Sequence, residues 1–149
     1  MKILTYVILS IVTIIFSGYG YLFYKAKNAL EDSERYTDEI VRNIGDNWDV
    51  KEFYNYVSQD DLDNMKVTSK DINNMFDHLK VNLGKIIKQH NSECVSTYNF
   101  NLDFSGAHIQ LKSICTTLLE CEGGPANATF TFNKNKKSGN WHVIGFDIR

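Results

Sequence analysis

The chain has 149 residues, of which 43% are hydrophobic and 23% charged, and its formal net charge is −2. With one proline and no low-complexity tract, this composition excludes a disordered or collagen-like chain. Residues 25–149 hold all 18 acidic and 15 of the 16 basic residues, a net charge near −3, so no basic stripe is present to bind nucleic acid.

The amino terminus carries the strongest signal in the sequence. Ile3 to Tyr24 is a run of 22 residues without a charge, flanked by Lys2 and Lys25. As a helix it would be about 33 Å long, enough to cross the hydrocarbon core of a bilayer. We predict an uncleaved single-pass signal anchor over residues 1–24. The alternatives are a cleaved signal peptide, for which Gly18-Tyr19-Gly20 is the only tolerable cleavage site, and a buried core helix.

The orientation and the domain boundaries follow from this anchor. Lysines flank it on both sides, so charge alone does not orient it, but a short amino-terminal flank is typical of a signal anchor with its bulk exported. We therefore expect the carboxyl-terminal part to be extracytoplasmic, in the periplasm or outside the cell. Residues 25–35 have the composition of a juxtamembrane stalk, and residues 36–149 have the length of one domain.

The first half of this domain has helical spacing. Apolar residues recur every three or four positions in three stretches, and glycines follow the first and the third. The predicted helices cover Tyr36 to Ile44, a short stretch after Asp49, and Ser69 to Leu83.

The second half alternates with period two and predicts an antiparallel meander. Its four strands are Glu93 to Leu102, Ala107 to Leu119, Ala128 to Asn133, and Trp141 to Ile148. The fold class is therefore α+β, with about three helices packed on one face of a curved sheet of about four strands. In the last strand, Trp141 and Val143 should lie on one face and Ile144, Phe146 and Ile148 on the other.

The first hairpin allows its register to be predicted. If Phe104 and Ser105 form a two-residue loop, Asp103 faces Gly106, and Cys94 faces Cys115. These two cysteines form either a disulfide or a pair of buried thiols.

The remaining reactive side chains do not form a recognisable site. Cys121 is left over between Glu120 and Glu122, which disfavours a reactive thiolate. No histidine has a partner at metal-ligand spacing, and the nearest approach is His90 with Cys94, so we expect neither a metal nor a cofactor.

The order of elements resembles the NTF2-like, or cystatin-like, superfamily. The most specific segment is the end of the chain, ATFTFNKNKKSGNWHVIGFDI, which is similar to the closing hairpin of small exported NTF2-like domains. The resemblance implies a cone with a pocket between sheet and helices, a fold that serves isomerases, dehydratases and non-catalytic binding or assembly domains.

The resemblance and the lack of a catalytic set together favour a membrane-tethered, non-catalytic domain that binds a protein partner or a small apolar ligand. The expected contact residues are Tyr98, Phe100, Leu111, Phe132 and Trp141; the alternative for each of them is a place in the core. The alternative is a pocket enzyme of the isomerase or dehydratase type, with Asp103 or Asp147 as base and Tyr98 as hydrogen-bond donor; His142 is a further acid–base candidate.

Two other resemblances keep an assembly role open. Gly124, Ala126 and Trp141 loosely match a pattern in cytochrome oxidase assembly factors and import subunits, which also join one membrane helix to a small α/β domain. Some inner-membrane components of secretion systems likewise combine an anchor with an NTF2-like domain.

Overall fold

The computed structural model describes the backbone of residues 2–45, 47–103, 106–134 and 139–149. Side chains are described from residue 12 onward within these ranges, apart from residues 15, 16, 18, 19, 22, 64, 65 and 99–109. Four helices precede an antiparallel sheet of five strands over this part of the chain, which confirms the predicted α+β class. The helices are α1 (Lys2–Gly45), α2 (Val50–Phe53), α3 (Gln59–Met65) and α4 (Ser69–Leu83). The strands are β1 (Ile86–Gln89), β2 (Glu93–Asp103), β3 (Gly106–Cys121), β4 (Gly124–Lys134) and β5 (Trp141–Ile148).

Helix α1 is continuous from the amino terminus into the domain. The expected stalk, residues 25–35, belongs to this helix, because Ala29, Ser33 and Thr37 already lie against the sheet and are buried. Their small side chains, four residues apart on one face, allow a close approach to β3, where Ser113 Oγ donates to Ser33 Oγ at 2.9 Å. Packing against the domain thus begins a few residues after the apolar run.

Helix boundaries follow their capping residues. α1 ends at Gly45 and α4 ends before Gly84, as predicted, and Gly84 has a φ of +63°. Thr68 and Asp71 form a reciprocal capping box at the start of α4. α2 begins at the predicted cap, Asp49, but it extends only to Phe53.

Two short elements were not predicted. α3 carries few apolar residues among its charged ones, so the sequence shows no apolar stripe; its start is marked by Ser58, whose side chain caps the helix at Asp61. β1 has only four residues. It pairs with the carboxyl-terminal end of β3, where Ile86 lies opposite Cys121.

The β2–β3 hairpin has the predicted register along its whole length. Asp103 pairs with Gly106, Tyr98 with Leu111 and Cys94 with Cys115. The two connecting residues, Phe104 and Ser105, lie outside the described residues. Period-two patterning therefore located each pair correctly over this hairpin.

Strand β5 departs from the predicted alternation. Thr131 of β4 pairs with Gly145, whereas the next residue, Phe132, pairs with Val143, so Ile144 is an extra residue in a β-bulge. The bulge places Val143 and Phe146 on the same side of the sheet instead of on opposite faces. Phe146 consequently packs against Phe130, with ring centroids 4.9 Å apart.

The core lies between the helices and the inner face of the sheet. Its largest fully buried side chains come from both layers: Phe76, Phe130, Phe132, Ile40, Ile44 and Leu119. α2 and α4 meet β5 through aromatic rings, with Phe53 5.2 Å and Phe76 5.9 Å from Phe146 between centroids. Such ring pairs add to the free energy gained from burial alone.

No stretch of helix in the described part of the chain is long and apolar enough to cross a membrane. Much of the predicted anchor falls outside that part, because the side chains of residues 3–11 and several that follow are not among those described.

Candidate functional site

A cavity of about 180 Å³ lies between helices α2, α3 and α4 on one side and strand β5 on the other. The bulge at Ile144 shapes it, because Val143 and Phe146 both reach its wall from β5. The helices and the loops that join them contribute the rest of the apolar lining: Phe53 of α2, Leu62 of α3, Ile72 and Met75 of α4, and the loop residues Val57 and Val67. The cavity is partly open to solvent, and its apolar lining and size are suited to a small apolar molecule; an enclosed cavity of about 150 Å³ lined by Leu, Ile and Phe binds benzene.

Among the described residues of the cavity wall, one is ionisable, Asp71 of α4. Its carboxylate accepts hydrogen bonds from the backbone nitrogen of Thr68 at 2.9 Å and from Thr68 Oγ1 at 2.6 Å. These hydrogen bonds, led by the one from the Thr68 side chain, hold the pKa of Asp71 below its usual value. Asp71 is solvent-exposed and committed to the helix cap, so it is a poor proton acceptor for a bound molecule.

Two of the predicted contact residues, Tyr98 and Leu111, meet at a second cleft. They face each other across the β2–β3 hairpin and line a cleft of about 300 Å³ together with Lys25 and Asp32 of α1 and Lys134 of β4. The side chain of Phe100, a third predicted contact residue, lies outside the described residues.

The other two predicted contact residues are part of the core. Phe132 is fully buried, with its ring 5.4 Å from Tyr36 and 6.2 Å from Trp141. Trp141 is 6% exposed, and its carbonyl oxygen accepts a hydrogen bond from the Tyr36 hydroxyl at 2.8 Å. Burial raises the pKa of Tyr36, which keeps its hydroxyl protonated and able to donate.

The acid–base candidates do not converge on one pocket. Asp147 is exposed and pairs with Arg149 Nε at 2.7 Å, and Asp103 has a side chain outside the described residues. His142 lines a polar cleft of about 400 Å³ beside Tyr56, whereas Tyr98 lies in the cleft next to Lys25. The described part of the chain therefore brings together no general acid and base around an apolar cavity.

The cysteines divide into a bonded pair and a single thiol. Cys94 and Cys115 form a disulfide between β2 and β3, with their Cα atoms 4.0 Å apart. Cys121 is a free, buried cysteine, and burial raises the pKa of its thiol, which disfavours the reactive thiolate. No group of three or more potential metal ligands occurs among the residues described.

Several side chains of the apolar cavity lie on predicted core stripes, although no cavity was predicted. Ile72 and Met75 belong to the predicted stripe of α4, whereas Leu62 comes from the unpredicted α3.

No protein-family model, curated protein or solved structure matches the chain.

Proposed function

We propose that the protein is a membrane-tethered, non-catalytic binding domain with an NTF2-like fold, held by residues 3–24 and exposed on the extracytoplasmic side. The observation that carries the binding role is the apolar cavity between α2–α4 and β5. Its ligand would be a small apolar molecule, about the size of a single aromatic ring.

The proposed anchor is supported by what the domain leaves uncovered. The first residue of α1 buried against the sheet is Ala29, among the side chains described. Before it, large apolar side chains are open to the surroundings, with Ile14 70%, Phe23 76% and Tyr24 63% exposed. Exposed apolar side chains along one helix are stable in lipid but costly in water. The uncharged run of 22 residues that contains them would supply the length of a membrane span.

The proposed compartment is supported by the disulfide. Cys94 and Cys115 are bonded, and such a bond persists in an oxidising environment such as the periplasm or the cell exterior. An exported domain agrees with the expected orientation of a signal anchor.

A binding role is favoured over catalysis because of the chemistry of the cavity wall. Ten of the described residues line the cavity, and Asp71 is the only ionisable one among these ten. An isomerase or dehydratase needs a base within hydrogen-bonding distance of the substrate, and Asp71 instead faces the Thr68 cap.

The binding role can be tested with toluene as an apolar probe. Toluene should raise the melting temperature of the full-length protein, because a ligand that binds only the folded state stabilises it. Met75→Trp should abolish this rise, since the indole would fill the cavity. Val81→Trp is the matched control: Val81 lies on the same helix, is 81% exposed, and should leave the toluene effect unchanged.

Two outcomes would reject the binding role. One is a wild-type protein whose melting temperature does not respond to saturating toluene. The other is an equal response from Met75→Trp and wild type, which would place the probe elsewhere on the protein.

A further inference from the structure

The cleft between α1 and the β2–β3 hairpin combines positive charge with an apolar floor. Lys25 and Lys134 approach it from different elements, and Asp32 is the only acidic residue among the described side chains of its wall. Ala29, Tyr98 and Leu111 form the apolar part. Its volume of about 300 Å³ lies at the lower end of the range of about 300–1,000 Å³ found for small-molecule sites.

The two lysines differ in how they are held. Lys134 Nζ lies 3.3 Å from Asp32 Oδ2 and 5.0 Å from the centroid of the Trp141 ring, so it is fixed in place by an ion pair and an aromatic face. Lys25 Nζ lies over the ring of Tyr21, at 4.9 Å from its centroid. The cleft thus has one positioned cation and one exposed cation, and their summed charge exceeds that of Asp32.

Strand β2 and helix α1 run side by side in opposite chain directions. Ser92 Oγ donates to Asp38 Oδ1 at 2.7 Å, and Ser113 contacts Ser33 further along. The cleft of Tyr98 with Ala29 is the next contact in this series. From Ser92 to Tyr98 the strand advances about 20 Å, comparable to the rise of α1 from Asp38 back to the neighbourhood of Lys25.

If residues 3–24 span the bilayer, the cleft at Lys25 is at the depth of the lipid headgroups.

We infer that this cleft binds the headgroup of an anionic phospholipid from the outer leaflet, the one that faces the domain. Lys134 and Lys25 would pair with the phosphate, and the floor of Ala29, Tyr98 and Leu111 would contact the glycerol and upper acyl carbons. The inference rests on the proposed anchor but not on the apolar cavity beside α4.

The test uses full-length protein in nanodiscs of phosphatidylcholine with and without phosphatidylglycerol, with retained lipid counted by native mass spectrometry. Wild type should retain phosphatidylglycerol selectively. Lys134→Gln and Leu111→Trp should each lower the retained fraction about tenfold, the loss expected for a charge-assisted contact or a filled cleft. The controls are Lys88→Gln, with the same charge change on β1, and Val95→Trp at an exposed position of the same hairpin, and both should behave as wild type.

Three results would overturn the inference. If the variants and their controls lose the same fraction of retained phosphatidylglycerol, the lipid is held by nonspecific charge attraction. If wild type retains phosphatidylglycerol no better than phosphatidylcholine, the cleft is not a headgroup site. Competition by inorganic phosphate at the same concentration as phosphatidylglycerol would assign the cleft to a free anion. Resistance to carbonate extraction is measured in parallel: a chain that leaves the membrane refutes the proposed anchor, whereas an anchored chain without lipid selectivity refutes only the headgroup site.

Discussion

Glu120 of β3 and His90, the residue that follows β1, are in polar contact. His90 Nε2 lies 2.6 Å from Glu120 Oε1, and Lys88 Nζ lies 3.7 Å from the same oxygen. The hydrogen bond to His90, and then the charge of Lys88, lower the pKa of the Glu120 carboxyl in the folded state. A lowered folded-state pKa contributes stability above the unfolded-state pKa of about 4.3, and this contribution is lost as the pH falls through the folded-state value.

We therefore expect Glu120→Gln to be less stable than wild type at neutral pH, and the difference to shrink in acid below about pH 4. Urea denaturation across this range measures it. Asp77→Asn, which removes an exposed carboxylate on α4, is the control and should show no such convergence. A difference that stays constant with pH would contradict the linkage.

The Cys94–Cys115 disulfide should stabilise the folded protein. Replacing both cysteines by alanine should lower the free energy of unfolding by about 2–4 kcal/mol, because the unfolded chain is no longer cross-linked. Dithiothreitol should destabilise wild type by a similar amount and leave the double variant unchanged. A wild-type protein insensitive to the reductant would argue that the two thiols are not bonded.

Single residues were predictable from the sequence where strand pairing fixed them. The register that places Cys94 opposite Cys115 follows from a two-residue loop and period two. The burial of Phe132 did not follow, because alternation gives the face of a strand but not what covers it. Which face α1 covers depends on the small residues Ser33 and Thr37, whose role is visible only in the packed structure.

The turn between β3 and β4 shows how closely two elements approach each other. Gly123 donates its backbone N–H to the carbonyl of Leu83 at 2.8 Å, so the end of α4 rests on the turn. A Cβ at this position would lie 2.1 Å from the carbonyl oxygen of Asn82, a backbone atom that cannot move without shifting the helix.

Gly123→Ala should accordingly lower the free energy of unfolding by about 1–3 kcal/mol, the usual cost of overpacking. Chemical denaturation provides the measurement. Gly20→Ala, where an added Cβ meets no atom within 4 Å, is the control and should leave the domain's stability unchanged. Equal stability of the two variants would indicate that α4 does not rest on this turn.

At the level of elements, long periodic segments were predictable and short or irregular ones were not. α4 has several helical turns and the β2–β3 hairpin has many alternating positions. Their apolar periods are therefore long enough to be distinguished from chance spacing. α3 and β1 are too short to establish a period. The bulge at Ile144 reversed the expected face of Phe146, because one inserted residue shifts every later position by one.

For the whole molecule, the main prediction concerns the membrane. A carboxyl-terminal alkaline phosphatase fusion should be active, and the chain should resist carbonate extraction. Replacing Val12 and Ile14 by arginine should release it, since each arginine near the centre of a span costs about 2.5–3.5 kcal/mol. The same change at Val81 and Ile87, both exposed on the domain, is the control. An inactive fusion would refute export, and full extraction of wild type would refute the anchor.

The apolar cavity is a property of the whole molecule, and the sequence could not predict it. Its wall draws on three helices and one strand, from Phe53 to Phe146, and depends on the bulge that turns Phe146 inward. Spacing within one segment carries no information on whether neighbouring segments fill the space between them.

The outer border of β5 is covered at its start by the chain itself. The backbone nitrogen of Val143 donates to the carbonyl of Tyr56 at 2.9 Å, and the carbonyl of Trp141 accepts from the Tyr36 hydroxyl. Two of the main-chain groups that could recruit a foreign strand are thus already occupied. A strand from a neighbouring copy would have to displace both contacts before it could add to the sheet at this end of β5.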